Sequence, residues 1–159
     1  MRLVPMSREE FLRRAQTVPV HSRHGYFKHG LWSRVADRCW MRSEIAVDFG
    51  TRLFGADLAV LFPEHLDRYH NGRILGCPDV IVEVLSDDSI YRDRDDKFKA
   101  YYQAGVPWYW IGDPVAGTPE EYHASAEGYV RTAMGTLEHT FEPKALPGLT
   151  IPLAPLLED

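Results

Sequence analysis

Several features that identify common protein classes are missing from this sequence. It has no stretch near the roughly 18 consecutive apolar residues needed to span a bilayer, and its opening segment, residues 1–5, is too short for a signal peptide. Its two cysteines, Cys39 and Cys77, show neither metal-binding spacing nor a disulfide framework. We find no Gly-rich phosphate loop, nucleophile elbow or Cys–His pair. We therefore expect a cytoplasmic protein with reduced thiols and no contact with membranes.

A positive charge excess is also missing, since the formal net charge is −5. This argues against sequence-blind binding to nucleic acid, which depends on phosphate neutralisation by Lys and Arg. It does not exclude an enzyme whose cleft gathers carboxylates around a cation. Basic residues form two groups, and a solvated helix face is the favoured interpretation of the first. The first group is Arg23, Lys28, Arg34, Arg38 and Arg42, and the second is Arg92, Arg94, Lys97 and Lys99.

The hydrophobic pattern predicts one α/β domain over residues 1–159, a length and a 45% hydrophobic content that suit a single core. Periodicity and capping signals predict helices over 7–16, 22–40 and 92–103, and strands over 44–49, 58–62, 78–86 and 106–111. The polar stretch 63–77 is expected to be a loop, and short antiparallel strands should follow residue 114. A strand, a helix and another apolar strand in succession indicate a βαβ crossover, and therefore a mixed sheet covered by helices.

Acidic residues on the strand 78–86 are the first candidates for chemistry. Asp79 and Glu83 share one face of this strand but stand about 13 Å apart along it, too far to bind one ion together. Asp57 opens an apolar run that could form the neighbouring strand, and adjacent strands lie about 4.8 Å apart. Asp57 and Glu83 could therefore share a hard cation. The alternative is that these carboxylates are satisfied by backbone amides or arginines, which is the favoured interpretation of Asp79, since an Asp after Pro commonly opens a strand.

A carboxylate pair of this kind suits Mg²⁺ or Mn²⁺, and a nearby lysine could orient water or neutralise charge on a phosphate. Lys97, in the helix that follows the strand, is the candidate. Its spacing alone favours a surface lysine paired with Asp93 at i−4.

Three segments carry a family resemblance: PDVIVEVLS from residue 78, RDRDDK from residue 92 with Tyr101, and GVPWYWIGDP from residue 105. The chain resembles the Uma-two family of restriction-endonuclease-like proteins in the PD-(D/E)XK nuclease superfamily. The resemblance extends more loosely through SRHG at residue 22, GAD at residue 55 and LPGL at residue 146.

The resemblance implies an αβββαβ core, to which the predicted antiparallel strands are added. It also implies that Asp57 is the first catalytic acid, Glu83 the second, and that both bind the metal. Leu85 stands where the superfamily pattern has a lysine, and the resemblance moves that positive charge to Lys97. Candidate accessory residues are Asp79, Glu44 and Tyr101.

Together these observations predict a Mg²⁺-dependent endonuclease that hydrolyses DNA as a homodimer, because a two-fold symmetric enzyme suits paired cuts on two strands. One alternative is a catalytically inactive nucleic-acid-binding or interaction protein of the same fold. Another is a structural dimer without a nucleic-acid partner.

Overall fold

The protein is described by a computed structural model that covers residues 23–36, 38–85, 90–114, 116–136 and 138–153, without the side chains of 23–27 and 90–94. The helix predicted over 7–16 lies outside these residues. The helices are α1 (Arg23–Ala36), a 3₁₀ helix (Pro63–Arg68) and α2 (Ile90–Ala104). The strands are β1 (Trp40–Asp48), β2 (Leu53–Leu61), β3 (Tyr69–His70), β4 (Arg73–Leu75), β5 (Val80–Val84), β6 (Trp108–Asp113), β7 (Thr118–Ser125) and β8 (Gly128–Met134).

These strands form one sheet in the order β3-β4-β1-β2-β5-β6-β7-β8. β5 and β6 are parallel and are joined by α2, which is the predicted βαβ crossover. β1, β2 and β5 pair antiparallel in succession, so α1-β1-β2-β5-α2-β6 is the αβββαβ core. β7 and β8 extend the sheet beyond β6 with antiparallel pairing. The prediction of a mixed sheet with added antiparallel strands is confirmed.

Helix α1 is shorter than the prediction over 22–40, which was wrong at its carboxyl end. The helix stops at Ala36, and the amides of Arg38 and Cys39 both donate to the carbonyl of Val35. Trp40 already begins β1, where it pairs with Leu61. The apolar residues near 40 are therefore buried as part of the sheet and not as part of the helix. Periodicity over a few residues does not distinguish a helix from a strand.

The segment 63–77 was predicted to be a loop, and this was also wrong. It contains the 3₁₀ helix, which has a proline in its first turn, and the hairpin of β3 and β4. Asn71 and Gly72 connect the two strands with φ of 47° and 86°. Asn-Gly is the residue pair that two-residue hairpins with positive φ prefer. The hairpin signal was present, but the flanking strands are too short to show alternation.

Two apolar cores cover the two faces of the sheet. Leu31 and Val35 of α1 pack with Val82 of β5 on one face. Tyr101 of α2 packs with Ile81 of β5 on the other. This agrees with the predicted alternation along β5. Within the described ranges, no helix is long and apolar enough to cross a membrane.

The carboxyl-terminal segment is held by Glu121, a fully buried carboxylate of β7. Its oxygens accept hydrogen bonds from Trp110 Nε1 (3.0 Å), Thr132 Oγ1 (2.7 Å) and the backbone amides of Lys144 (2.8 Å) and Ala145 (3.0 Å). Four donors compensate the burial of this charge, as a buried carboxylate requires. Glu121 is therefore a structural residue that attaches the tail to the sheet.

Candidate active site

Asp57 and Glu83 lie where β2 and β5 stop pairing. The last pair of this ladder is Leu58 with Val82, so the next position on each strand is one of the two acids. Beyond that pair, Asp57 Oδ2 accepts a hydrogen bond of 2.7 Å from the backbone amide of Val84. A side chain therefore takes the place of a strand partner, and the register brings the two predicted acids to one end of the sheet.

Glu83 is 5% exposed and is held by two residues of α2. Tyr101 donates a hydrogen bond of 2.6 Å to Oε1, and Lys97 Nζ lies 3.2 Å from Oε2. The pKa of Glu83 is raised to about 8 by burial and by the nearby Asp57 carboxylate, while Lys97 and Tyr101 act in the opposite direction. Burial and the Glu83 carboxylate also raise the pKa of the Tyr101 hydroxyl. Lys97 is therefore a partner of Glu83, while the side chain of Asp93 lies outside the described part of the chain.

Lys28 of α1 is a site residue that the sequence analysis missed. The solvated helix face predicted for it is wrong, because Lys28 is 1% exposed. Its Nζ donates to Glu44 Oε1 and lies 3.8 Å from Asp57 Oδ1. Burial lowers the pKa of Lys28, whereas Asp57 and Glu83 counteract this shift. A signal was available, since residues 28, 31, 32 and 35 recur at the spacing of one buried helix face.

Glu44, whose side chain lies in the site, has an unusual backbone conformation. Its φ is +48°, in the left-handed region that non-glycine residues rarely adopt. The register places it opposite Asp57, between the pairs Ser43–Leu58 and Ile45–Ala56. Such a backbone costs of order 1–3 kcal/mol and persists only where the surrounding structure holds it.

Both strands change their buried face at this point. Met41 and Leu58 pack on the α1 side of the sheet, whereas Ile45 and Ala56, on the other side of Glu44 and Asp57, pack on the α2 side. In a regular strand, residues two or four apart share a face. The reversal explains how side chains of helices on opposite faces, Lys28 from α1 and Lys97 from α2, reach the same acid pair.

Asp79 is engaged elsewhere. One oxygen accepts a hydrogen bond of 2.7 Å from the amide of Phe62, and the other lies 2.7 Å from His65 Nδ1. These contacts fasten the start of the 3₁₀ helix to the start of β5, in line with the structural interpretation. Leu85, in the place of the superfamily lysine, packs against the core on the α2 side.

The donor atoms at this site suit a hard cation with few protein ligands. Among the residues that the structure describes, no group of three or more His, Cys, Asp or Glu side chains could hold a metal ion. Asp57 and Glu83 offer two carboxylates, and Mg²⁺ is commonly held by one or two carboxylates together with water and substrate phosphate. The chemistry of the acid pair therefore suits such an ion, with the remaining ligands left to water or phosphate.

Comparisons with known proteins agree with this architecture. The model of the Uma2 family, described as "Putative restriction endonuclease", matches residues 15–154. No curated protein matches the chain. The fold is similar to that of a solved "putative nuclease belonging to DUF820" from Anabaena variabilis, with a TM-score of 0.69, 17% identity, and coverage of 86% of this chain and 81% of that one. The family model spans most of the sequence, and the chain therefore belongs to the Uma2 family of restriction-endonuclease-like proteins.

Proposed function

We propose that this protein is an endonuclease that hydrolyses phosphodiester bonds in DNA with the help of Mg²⁺ or Mn²⁺. The observation that supports this most strongly is the meeting of Asp57 and Glu83 at the end of the β2–β5 ladder, with Lys97 Nζ 3.2 Å from Glu83. An acid pair beside an ammonium group is the set of groups that metal-assisted phosphodiester hydrolysis needs. The raised pKa of Glu83 adds support, because perturbed carboxyl groups cluster at functional sites.

Asp57 and Glu83 are the residues that would hold the metal ion. When bound, a divalent ion supplies Lewis-acid stabilisation of the negative charge that develops on the phosphate. Oxygen ligands and a small, hard ion match each other, which is why we propose Mg²⁺ or Mn²⁺ and not a softer metal. Tyr101 acts as a positioning residue, since its hydrogen bond to Oε1 orients Glu83 and leaves Oε2 toward Lys97.

Lys97 is the candidate for contact with the phosphate. Its side chain is 24% exposed, while the Glu83 side chain beside it is 7% exposed. The ammonium can therefore stay close to Glu83 and still reach a substrate. There it would stabilise charge in the transition state, where preorganised cationic groups act strongly. This is the role that the superfamily pattern gives to the lysine absent at Leu85.

Plasmid cleavage tests the proposal. Purified protein is mixed with supercoiled plasmid and Mg²⁺ or Mn²⁺, beside Glu83→Ala, Lys97→Ala and an EDTA sample. We expect each substitution to slow cleavage by at least about 100-fold, the usual effect of removing a group that stabilises the transition state. Lys99→Ala is the matched control, because Lys99 is an exposed lysine of the same helix. This variant should cleave plasmid at the wild-type rate. Equal cleavage by wild type and Glu83→Ala would contradict the proposal.

The second candidate is a nucleic-acid-binding or interaction protein that has kept the fold and lost catalysis. It is favoured by the small number of metal ligands in the described part of the chain and by the net charge of −5. If plasmid stays intact with every variant while a gel shift persists, this candidate is the better one. If neither cleavage nor a shift is observed, a structural dimer without nucleic acid is favoured.

A further inference from the structure

We propose that Lys28 is a built-in cation that takes the place of a second metal ion, so that the chain binds a single divalent ion. This inference rests on the proposed metal site at Asp57 and Glu83. It assigns a role to a lysine that the family resemblance leaves without one, and it predicts the metal stoichiometry of the site.

The contacts of Lys28 place a positive charge between carboxylates on the side of the site away from Lys97. Its Nζ donates to Glu44 Oε1 and lies 3.8 Å from Asp57 Oδ1. Without this ammonium, Glu44 and Asp57 would be two carboxylates on facing strand positions, an arrangement that suits a hard cation. The Lys28 side chain is 1% exposed, so it is held inside the protein and does not extend into solvent.

The charges of the site agree with a single ion. With all groups ionised, Glu44, Asp57 and Glu83 contribute three negative charges, and Lys28 and Lys97 contribute two positive ones. One net negative charge remains. One divalent ion together with one phosphodiester, which carries a single negative charge, brings the total to zero. A second divalent ion would leave two uncompensated positive charges in a partly buried site, which is unfavourable.

A purely structural ion pair is the competing explanation. Lys28 could serve only to attach α1 to β1, and its removal would then lower stability without changing how metal binds. The left-handed backbone of Glu44 argues for more than attachment, because backbone strain of this kind concentrates at functional sites. Metal binding measured without DNA separates the two explanations.

The experiment is a Mn²⁺ titration of the full chain, followed by the electron paramagnetic resonance signal of free Mn²⁺ and by calorimetry. We expect one bound ion for the wild type. Lys28→Met removes the charge and keeps an unbranched side chain that is one atom shorter. This variant should bind a second ion or bind Mn²⁺ at least about 10-fold more tightly, given the strength of charge interactions at about 4 Å. The double variant with Lys28→Met and Glu44→Gln removes one charge of each sign and should return to one ion. Lys99→Met, on an exposed lysine of α2, should match the wild type.

Identical stoichiometry and affinity in wild type and Lys28→Met would overturn the inference, as would two ions in the wild type. If Lys28→Met does not fold, Lys28→Gln replaces it, because its amide can still donate to Glu44 and the same gain is expected. The two proposals fail separately. If the wild type cleaves plasmid but Lys28→Met binds Mn²⁺ as the wild type does, only the inference about Lys28 is contradicted. If plasmid stays uncut but Lys28→Met gains Mn²⁺ binding, only the proposed nuclease function is contradicted.

Discussion

The environment of Glu83 changes the proton affinity of its carboxyl group. Its carboxyl group is buried and lies near a second carboxylate, and both effects favour its protonated form. Lys97 and Tyr101 favour the ionised form but do not outweigh burial, so its pKa rises to about 8. In the absence of metal, the folded protein therefore favours the protonated form of Glu83 more than an exposed glutamate would be favoured in that form. A metal ion at the proposed site would compete with this proton for the Glu83 oxygens, and its binding should therefore release a proton.

The raised pKa predicts how stability depends on pH. The ordinary pKa of a glutamate is 4.5, and the folded value is about 8. The unfolded chain therefore loses this proton at a lower pH than the folded chain. The stabilisation from the bound proton is complete below about pH 4.5 and is lost as pH rises through about 8.

We therefore expect Glu83→Gln, which cannot ionise, to gain Tm relative to the wild type as pH rises from about 5 to 9 in EDTA. One kcal/mol corresponds to about 2–4 °C for a domain of this size. Thermal melts of both proteins across this range measure the difference, with the exposed Glu127→Gln as the control. Parallel Tm curves for wild type and Glu83→Gln would contradict the raised pKa.

At the scale of elements, strand β1 is the unusual part of the structure. Its Glu44 leaves the ordinary strand conformation, and the buried face of β1 and β2 changes there. Glycine adopts positive φ without steric cost, whereas other residues do not. The chain nevertheless has a glutamate at this position, which fits a side chain needed for its carboxylate.

Two substitutions isolate the cost of this backbone. Glu44→Gly and Glu44→Ala both remove the carboxylate, and only glycine relieves the positive φ. We expect Glu44→Gly to be the more stable of the two by about 1 kcal/mol, measured by urea denaturation. Val130, in β8 and without positive φ, is the control at which alanine should be more stable than glycine. If glycine is the less stable substitution at residue 44 as well, the strain is absent.

At the scale of the whole molecule, the sheet lies between two helices that are far apart in the sequence. α1 covers one face and α2 the other, and both contribute a lysine to the same acid pair. The remaining question at this scale is assembly. Paired cuts on the two strands of DNA suit a two-fold symmetric enzyme in which each chain supplies one acid pair.

We therefore predict a homodimer, with a mass about twice the 18.2 kDa of one chain in size-exclusion chromatography with light scattering. The dimer should convert supercoiled plasmid to linear product with little accumulation of nicked circles. A monomeric mass over a wide concentration range, together with nicked circles as the main product, would contradict this prediction. Such a result would leave hydrolysis itself intact.

Much of the core was predictable because its signals are local. Alternation of apolar residues identified β5. A glycine with φ of +90° at residue 105 follows the end of α2, and the strand after it completes the predicted crossover. Asp57, Glu83 and Lys97 were candidates from strand spacing and from the family resemblance, and their roles in catalysis stay predictions. The hairpin within 63–77 was missed because its strands are only two and three residues long.

The sequence by itself determined the fold class, the crossover and the acidic residues of the candidate site, since periodicity, turn chemistry and spacing are properties of neighbouring residues. Only the tertiary structure decided that Lys28, Glu44 and Asp57 meet. These residues are 13 to 29 positions apart in the chain, and their contacts depend on strand register and on how α1 packs against the sheet. A lysine on a helix is ordinarily solvated, and it becomes part of a site only where folding brings carboxylates to compensate its burial.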